Sequence, residues 1–307
     1  HNIDVRLSTM PVQFGESVVM RLLDHTGGVR TLDSVGMPPD LVKRFRKIIT
    51  RPHGLVLVTG PTGSGKTTTL YGALSELNKP EKKIITVEDP VEYRLPRISQ
   101  VQLHEKIGLT FSSVLRATLR QDPDILLVGE IRDAESAEIA LRASMTGHLV
   151  LSTLHTNDAI SSALRLIDIG VDGYLVATAL KAVVAQRLVR RICTSCIQDH
   201  TPDVNELQLI ATVNKGKPVT TQFKRGAGCP HCHNTGYRGR VGVFEMLELN
   251  APLAEALRTS DINGFTLAAN ASANFKTLSE AALEYAVEGI TTLDEVMSIT
   301  AQIEEIV

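Results

Sequence analysis

Tryptophan is absent from this 307-residue chain, and aromatic residues make up only 4% of it. Recognition of bases or sugars by stacking on aromatic platforms is therefore disfavoured. No apolar run approaches the roughly 18 residues that a membrane-spanning helix needs. The first residues, HNIDVRLSTM, lack the apolar region of a signal peptide. Lys+Arg 32 against Asp+Glu 34 gives a formal charge of −2, so there is no global nucleic-acid footprint. Cysteine is scarce too, with only Cys193, Cys196, Cys229 and Cys232. Without an export signal the expected compartment is the cytosol, where thiols stay reduced and metal binding outranks disulfides.

What is present is ordinary for a chain with a real core: 43% hydrophobic and 21% charged residues. The opening VRLSTMPVQFGESVVMRLLD reads as two strands of a sheet whose earlier strands are missing. We therefore expect the sequence to be part of a longer protein. Gly27-Gly28 and Pro38-Pro39 read as turns.

From Arg51 the pattern changes. GLVLVTGPTGSGKTTTLYGAL is a short apolar run (Leu55 to Val58), a glycine-rich turn and then a helical pattern. Gly60, Gly65, Lys66 and Thr67 fit the G-x-x-x-x-G-K-[ST] phosphate loop in its strand-before, helix-after context. Glycines let backbone N–H groups converge on phosphate oxygens, and the helix N-terminus adds a favourable dipole. The candidate nucleotide-binding segment is Gly60, Pro61, Thr62, Gly63, Ser64, Gly65, Lys66, Thr67 and Thr68. In it Lys66 reaches the β- and γ-phosphates and the Thr67 hydroxyl binds Mg²⁺.

Two further strands deliver carboxylates to their ends: KKIITVEDPVEY, with Glu88, Asp89 and Glu92, and DPDILLVGEIRD, with Glu130. In a doubly wound sheet such ends lie beside the ligand. Glu130 is the first candidate for activating water, directly or through the Mg²⁺ shell, and Glu88 the second. Asp89 and Glu92 are either further ligands or caps and surface charges. TFSSVLRATLRQDPD has one buried helical face and carries Arg116 and Arg120 four apart on another. They are either a solubilising pair or arginine fingers. Arg132 follows Glu130 closely.

Taken together, these stretches resemble the ATPases of type II secretion and type IV pili. GPTGSGKTTTLY looks like that family's Walker A, TVEDPVEY its aspartate box, RQDPDILLVGEIRD its Walker B and TGHLVLSTLHTN its histidine box. AQRLVRRIC then leads into the cysteine region and GYRGRVGVFEML follows it. The resemblance implies an α/β fold: a RecA-like P-loop core, preceded by part of an N-terminal α+β domain and followed by a zinc insert and a helical C-terminal region. It implies a homo-hexamer using ATP, Mg²⁺ and Zn²⁺, with arginines matching Arg6, Arg21, Arg116, Arg120 and Arg132 approaching the nucleotide. It further implies a cytoplasmic motor peripheral to the bacterial inner membrane, working with a platform protein and a cytoplasmic adaptor, and no nucleic acid.

The cysteine spacing, C-x2-C, 32 residues, C-x2-C, is that of a closed four-thiolate zinc site. His231 and His233 stand by as substitutes. Extension and secretion motors of the family commonly carry this insert and retraction motors lack it, so assembly is favoured over retraction. EKKIITVEDPVEYRL and GITTLDEVMSIT lean towards pilus extension of the mannose-sensitive haemagglutinin type. The rivals are a retraction motor, a conjugation ATPase and a regulatory nucleotide-binding module without turnover.

The expected organisation is residues 1–50 as the end of an N-terminal PAS-like domain and linker, and 51–190 as the ATPase core. Residues 191–245 form the zinc subdomain, with NKGKP as a loop, and 246–307 the helical region. Asp133 should cap the helix AESAEIALRASM, with Gly147 just past its end, and Thr292 with Glu295 should form a capping box. His148 and His155 bracket one strand. The resemblance marks both, but only His155 lies at the carboxyl end where phosphates belong. We expect His155 to sense the γ-phosphate and His148 to make a structural or inter-domain contact.

Overall fold

The computed structural model describes residues 3–24, 30–217 and 222–304. The expected Gly27-Gly28 turn lies outside them, as does Pro218 of the NKGKP loop. Strands β1 (Ile3–Val12) and β2 (Gly15–Asp24) form an antiparallel hairpin with Gln13 and Phe14 at its tip and Arg6 opposite Arg21. Leu7, Met20 and Leu22 are among the apolar side chains it exposes.

Pro38 and Pro39 start a helix instead of making a turn. Pro38 takes the N-cap and Pro39 the first position of α1 (Pro39–Ile49), where the missing N–H costs nothing. Val42, Phe45, Ile48 and Ile49 bury one face of α1 against the main sheet. The stretch expected to be a linker thus packs with the core.

The chain then runs through β3 (Gly54–Thr59), α2 (Lys66–Leu77), β4 (Ile84–Glu88), β5 (Ser99–Gln102) and α3 (Phe111–Thr118). Next come β6 (Ile125–Val128), α4 (Ala134–Met145), β7 (Leu149–Leu154), α5 (Ala159–Asp168), α6 (Gly173–Ala179) and β8 (Leu180–Ile192). A small lobe follows, built from β9 (Ile197–His200), α7 (Val204–Val213) and β10 (Phe223–Gly226). Strand β11 (Tyr237–Glu248) returns to the sheet before α8 (Ala251–Arg258), α9 (Ile262–Asn270), α10 (Leu278–Val287) and α11 (Leu293–Glu304).

The main sheet has the order β11-β8-β3-β7-β6-β4-β5. The six strands from β8 to β5 are parallel, and β11 pairs antiparallel on the edge. Strands β3, β4, β6 and β7 are buried along their whole length, which is why they read as continuous apolar runs. Helices α1 and α2 cover one face; α3 to α6 and the C-terminal helices cover the other. This is the RecA-like α/β core that was expected. Among the described residues no helix is long and apolar enough to cross a membrane.

Asp133 caps α4, accepting from the Ser136 N–H at 2.8 Å, and Gly147 follows with φ +108°. The expected Thr292/Glu295 capping box is only half made. The Glu295 N–H reaches the Thr292 hydroxyl at 3.4 Å, but the Glu295 carboxylate is taken by the Arg190 backbone N–H and guanidinium at 2.8 and 2.7 Å. A charge-assisted pair to β8 outcompetes the local cap.

Candidate active site and metal centre

The glycine-rich segment joins β3 to α2. Gly60, Gly63 and Gly65 all have positive φ, +145°, +80° and +92°, so the backbone takes a path that side-chain-bearing residues resist. Pro61, Thr62 and Gly63 form the exposed crest, while Ser64 and Lys66 are buried and Thr67 and Thr68 half-buried. The Lys66 ammonium donates to the Gly60 and Pro61 carbonyls at 2.7 and 3.1 Å. Burial lowers its pKa from 10.5 to about 8; Glu130 acts against this and Arg187 adds to it. The Ser64 hydroxyl is buried with no hydrogen-bond partner among the described residues. An unpartnered hydroxyl, an ammonium held at the loop and a helix N-terminus suit phosphate oxygens.

Glu130 follows β6 and His155 follows β7, so both stand at carboxyl ends of neighbouring strands. His155 Nε2 lies 3.2 Å from Glu130 Oε2, and Arg132 pairs with the other carboxylate oxygen. Arg132 also faces Asp89 at 3.6 Å. The Glu130 hydrogen bond raises the pKa of the Arg132 guanidinium, so it stays charged. Just after β6, Gly129 packs tightly on β4: a Cβ there would sit 3.1 Å from the Val87 carbonyl and 3.2 Å from the Glu88 Cα.

Glu88 behaves differently. It is buried, and its carboxylate accepts from the Tyr71 hydroxyl, from Thr86 and, at 3.3 Å, from Gln100. This ties α2 to β4 and β5. Burial, followed by the Glu88 contact, pushes the Tyr71 phenol pKa upward.

Among the described arginine side chains, Arg132 is the one that pairs with Glu130. Arg116 is exposed and pairs with Glu135 of α4, and Arg120 donates to the Arg116 carbonyl at 3.0 Å. Arg21 lies exposed on the hairpin, and the Arg6 side chain is outside the described residues. His148 sits at the opposite end of β7 from His155, about 20 Å away along a six-residue strand. Its Nδ1 donates to the Ala143 carbonyl at 2.9 Å, closing the end of α4.

Residues that the sequence reading passed over also converge here. Gln186 and Arg187 interrupt an apolar strand, LKAVVAQRLV, and both are buried. Arg187 donates to the Asn157 carbonyl and side-chain oxygen at 2.9 and 3.1 Å. Glu245, another polar residue in an apolar strand, accepts from the Ala159 N–H at 2.7 Å and the Leu278 N–H at 2.8 Å. One carboxylate thus caps the first turns of α5 and α10. Burial raises its pKa from 4.5 to about 8 despite these bonds. A charged or amide side chain inside an otherwise apolar strand was the available signal for all three.

The four cysteines converge at the base of the small lobe. Their sulfurs all lie within 4.8 Å of one another, and three pairs are separated by 3.7 to 3.8 Å. Four sulfurs about 2.3 Å from one zinc lie about 3.8 Å apart, so the donor set fits a tetrahedral metal and not a disulfide. Cys229 and Gly236 N–H groups donate to the Cys232 sulfur at 3.2 and 3.3 Å, which favours a thiolate. His231 and His233 are exposed and outside the sulfur cluster.

Residues 1–298 match the family described as type II/IV secretion system protein. The chain is 45% identical over 300 residues to the type II secretion system ATPase E of Vibrio cholerae and 47% identical to the type II secretion system protein E of Klebsiella pneumoniae. Each match covers 98% of this chain and 59% of the relative, so the chain spans about three-fifths of their length. The type IV pilus assembly ATPase PilB of Thermus thermophilus is 42% identical over 301 residues, covering 98% of this chain and 34% of PilB. Among solved structures, the pilus retraction motor PilT with bound ADP superposes with TM-score 0.68 at 27% identity, covering 96% of this chain and 77% of PilT. The ATPase DotB of Legionella pneumophila gives 0.69 at 22% identity over 97% and 72% of the two chains, a likeness of fold.

Proposed function

The chain belongs to the type II/IV secretion system protein family, and on that premise we propose that it is an ATP-hydrolysing motor for assembling a type IV pilus or a type II secretion pseudopilus. One observation carries the reading: Lys66 opens α2 at the end of the glycine-rich loop that follows β3, and Glu130 and His155 stand beyond the carboxyl ends of β6 and β7, with Glu130 close enough to act on the Lys66 charge.

Backbone N–H groups from Gly63 to Thr68 hold the phosphates, and Lys66 leaves the Gly60 and Pro61 carbonyls for the β- and γ-oxygens. Glu130, oriented by Arg132 and His155, positions and deprotonates the attacking water, while His155 faces the γ-phosphate. The Thr67 hydroxyl, and Glu130 through water, would hold Mg²⁺, which would supply positive charge against the phosphate oxygens. Arg116 and Arg120 supply further positive charge once domains or subunits close, and Arg6 and Arg21 do so from the hairpin. Glu88 holds α2 and β4 in register behind the loop. The four cysteines bind one structural zinc, with no open position for chemistry.

The active form is a homo-hexamer at the cytoplasmic side of the inner membrane, contacting a platform protein and a cytoplasmic adaptor. The cysteine cluster supports assembly over retraction, and the −2 charge argues against a nucleic-acid motor. The test is phosphate release from Mg-ATP against protein concentration. Specific activity rising steeply with assembly supports shared sites, full activity in a proven monomer refutes them, and no activity in assembled protein leaves only a regulatory module.

A further inference from the structure

We propose that Gln186 is a positioning residue that sets the shape of the phosphate loop; this rests on the reading that the loop holds nucleotide. Gln186 lies on β8, beside β3, and is 2% exposed. Its amide nitrogen donates to the Ser64 carbonyl at 2.8 Å, and its amide oxygen accepts from the Thr69 hydroxyl of α2 at 2.8 Å. A carbonyl only accepts, so the amide has one permitted orientation.

The loop is also moulded sterically on this residue. A Cβ on Gly60 would lie 2.4 Å from the Gln186 carbonyl oxygen, and a Cβ on Gly65 would lie 2.7 Å from its amide nitrogen. The Gly60 contact is with the main chain of β8 and the Gly65 contact with the Gln186 side chain, so Gly65 alone answers to the glutamine itself, in addition to the positive φ of both glycines.

The consequence for nucleotide follows from peptide planarity. The Ser64 carbonyl and the Gly65 N–H belong to one trans peptide and point in opposite directions. Holding the carbonyl against β8 turns the Gly65 N–H away from β8, toward the open side of the loop where phosphate oxygens bind. Gln186 thus prepays the orientation of one phosphate-binding N–H, and Thr69 fixes Gln186 in turn. A glutamate at this position would set an acceptor against the Ser64 carbonyl and a negative charge near the phosphates. Because β8 runs on directly to Cys193, the same strand references the loop to the cysteine centre.

Gln186→Met keeps the length and apolar packing but removes both hydrogen bonds. Its ADP Kd and ATP KM should rise together by about tenfold, with kcat within about threefold of wild type, because the lost interaction serves ground state and transition state alike. Thr69→Val, which stays isosteric if the first variant folds poorly, should weaken ADP by about threefold. Combining the two should add little beyond Gln186→Met, since both act through one amide. Unchanged ADP affinity in both variants, or a kcat falling with the folded fraction at constant KM, would overturn the proposal. If wild-type protein itself fails to bind ADP, the nucleotide reading fails instead.

Discussion

His155 Nε2 lies 3.2 Å from Glu130 Oε2, and the two residues reach each other from the carboxyl ends of adjacent parallel strands. His148, on the same strand as His155, instead donates to a carbonyl at the end of α4 at 2.9 Å. Two histidines that look symmetric in TGHLVLSTLHTND therefore occupy different chemical surroundings.

The first prediction follows from that asymmetry. His155→Ala should lower ATP turnover by roughly a hundredfold, the size expected for losing a group that orients the general base. His148→Ala loses one hydrogen bond worth about 1 kcal/mol and should change turnover by less than about threefold. Steady-state phosphate release on both folded variants checks this, and the reverse order would contradict the division of roles.

The cysteine centre makes a separate prediction. Purified reduced protein should contain about one zinc per chain, bound by four thiolates. Chelation, or Cys232→Ser, should lower the thermal midpoint by about 5 °C or more, since metal binding is coupled to folding. Metal analysis and thermal denaturation measure it; a zinc content near zero would remove the assignment.

Glu245 gives a pH signature. Its carboxyl is raised by burial from 4.5 to about 8, with Asp158 adding to the rise and Arg187 and the two backbone N–H groups opposing it. The folded state therefore holds more protons than the unfolded state between those values. Its contribution to stability is present below pH 4.5 and is lost as pH climbs through 8. The stability advantage of wild type over Glu245→Gln should shrink by up to about 3 kcal/mol between pH 5.5 and 8. Denaturant titrations at the two pH values test it, and a constant difference would contradict it.

How much of this was legible beforehand depends on whether a feature is local in sequence. The phosphate loop, the cysteine pairs and the strand ends at Glu88 and Glu130 declare themselves because their chemistry sits within a few residues of a recognisable turn. Asp133 at the start of α4 was legible for the same reason. Gln186, Arg187 and Glu245 were not. Their roles exist only because β8 lies beside β3 and β11 beside β8, an order that no local pattern encodes. The half-made Thr292/Glu295 cap failed similarly, since its competitor, Arg190, is over a hundred residues away and also stacks 4.0 Å above the Tyr237 ring. Pro38-Pro39 misled because proline pairs signal a turn and a helix start with equal force.

The most direct test of the central claim is to measure ATP binding and hydrolysis by Glu130→Gln in the assembled protein. The amide keeps the shape of Glu130 and its contact with His155 but cannot take a proton from water. The account predicts ATP affinity within about threefold of wild type and turnover reduced by at least about a hundredfold. Turnover preserved within a few-fold, with the nucleotide still bound, would contradict it.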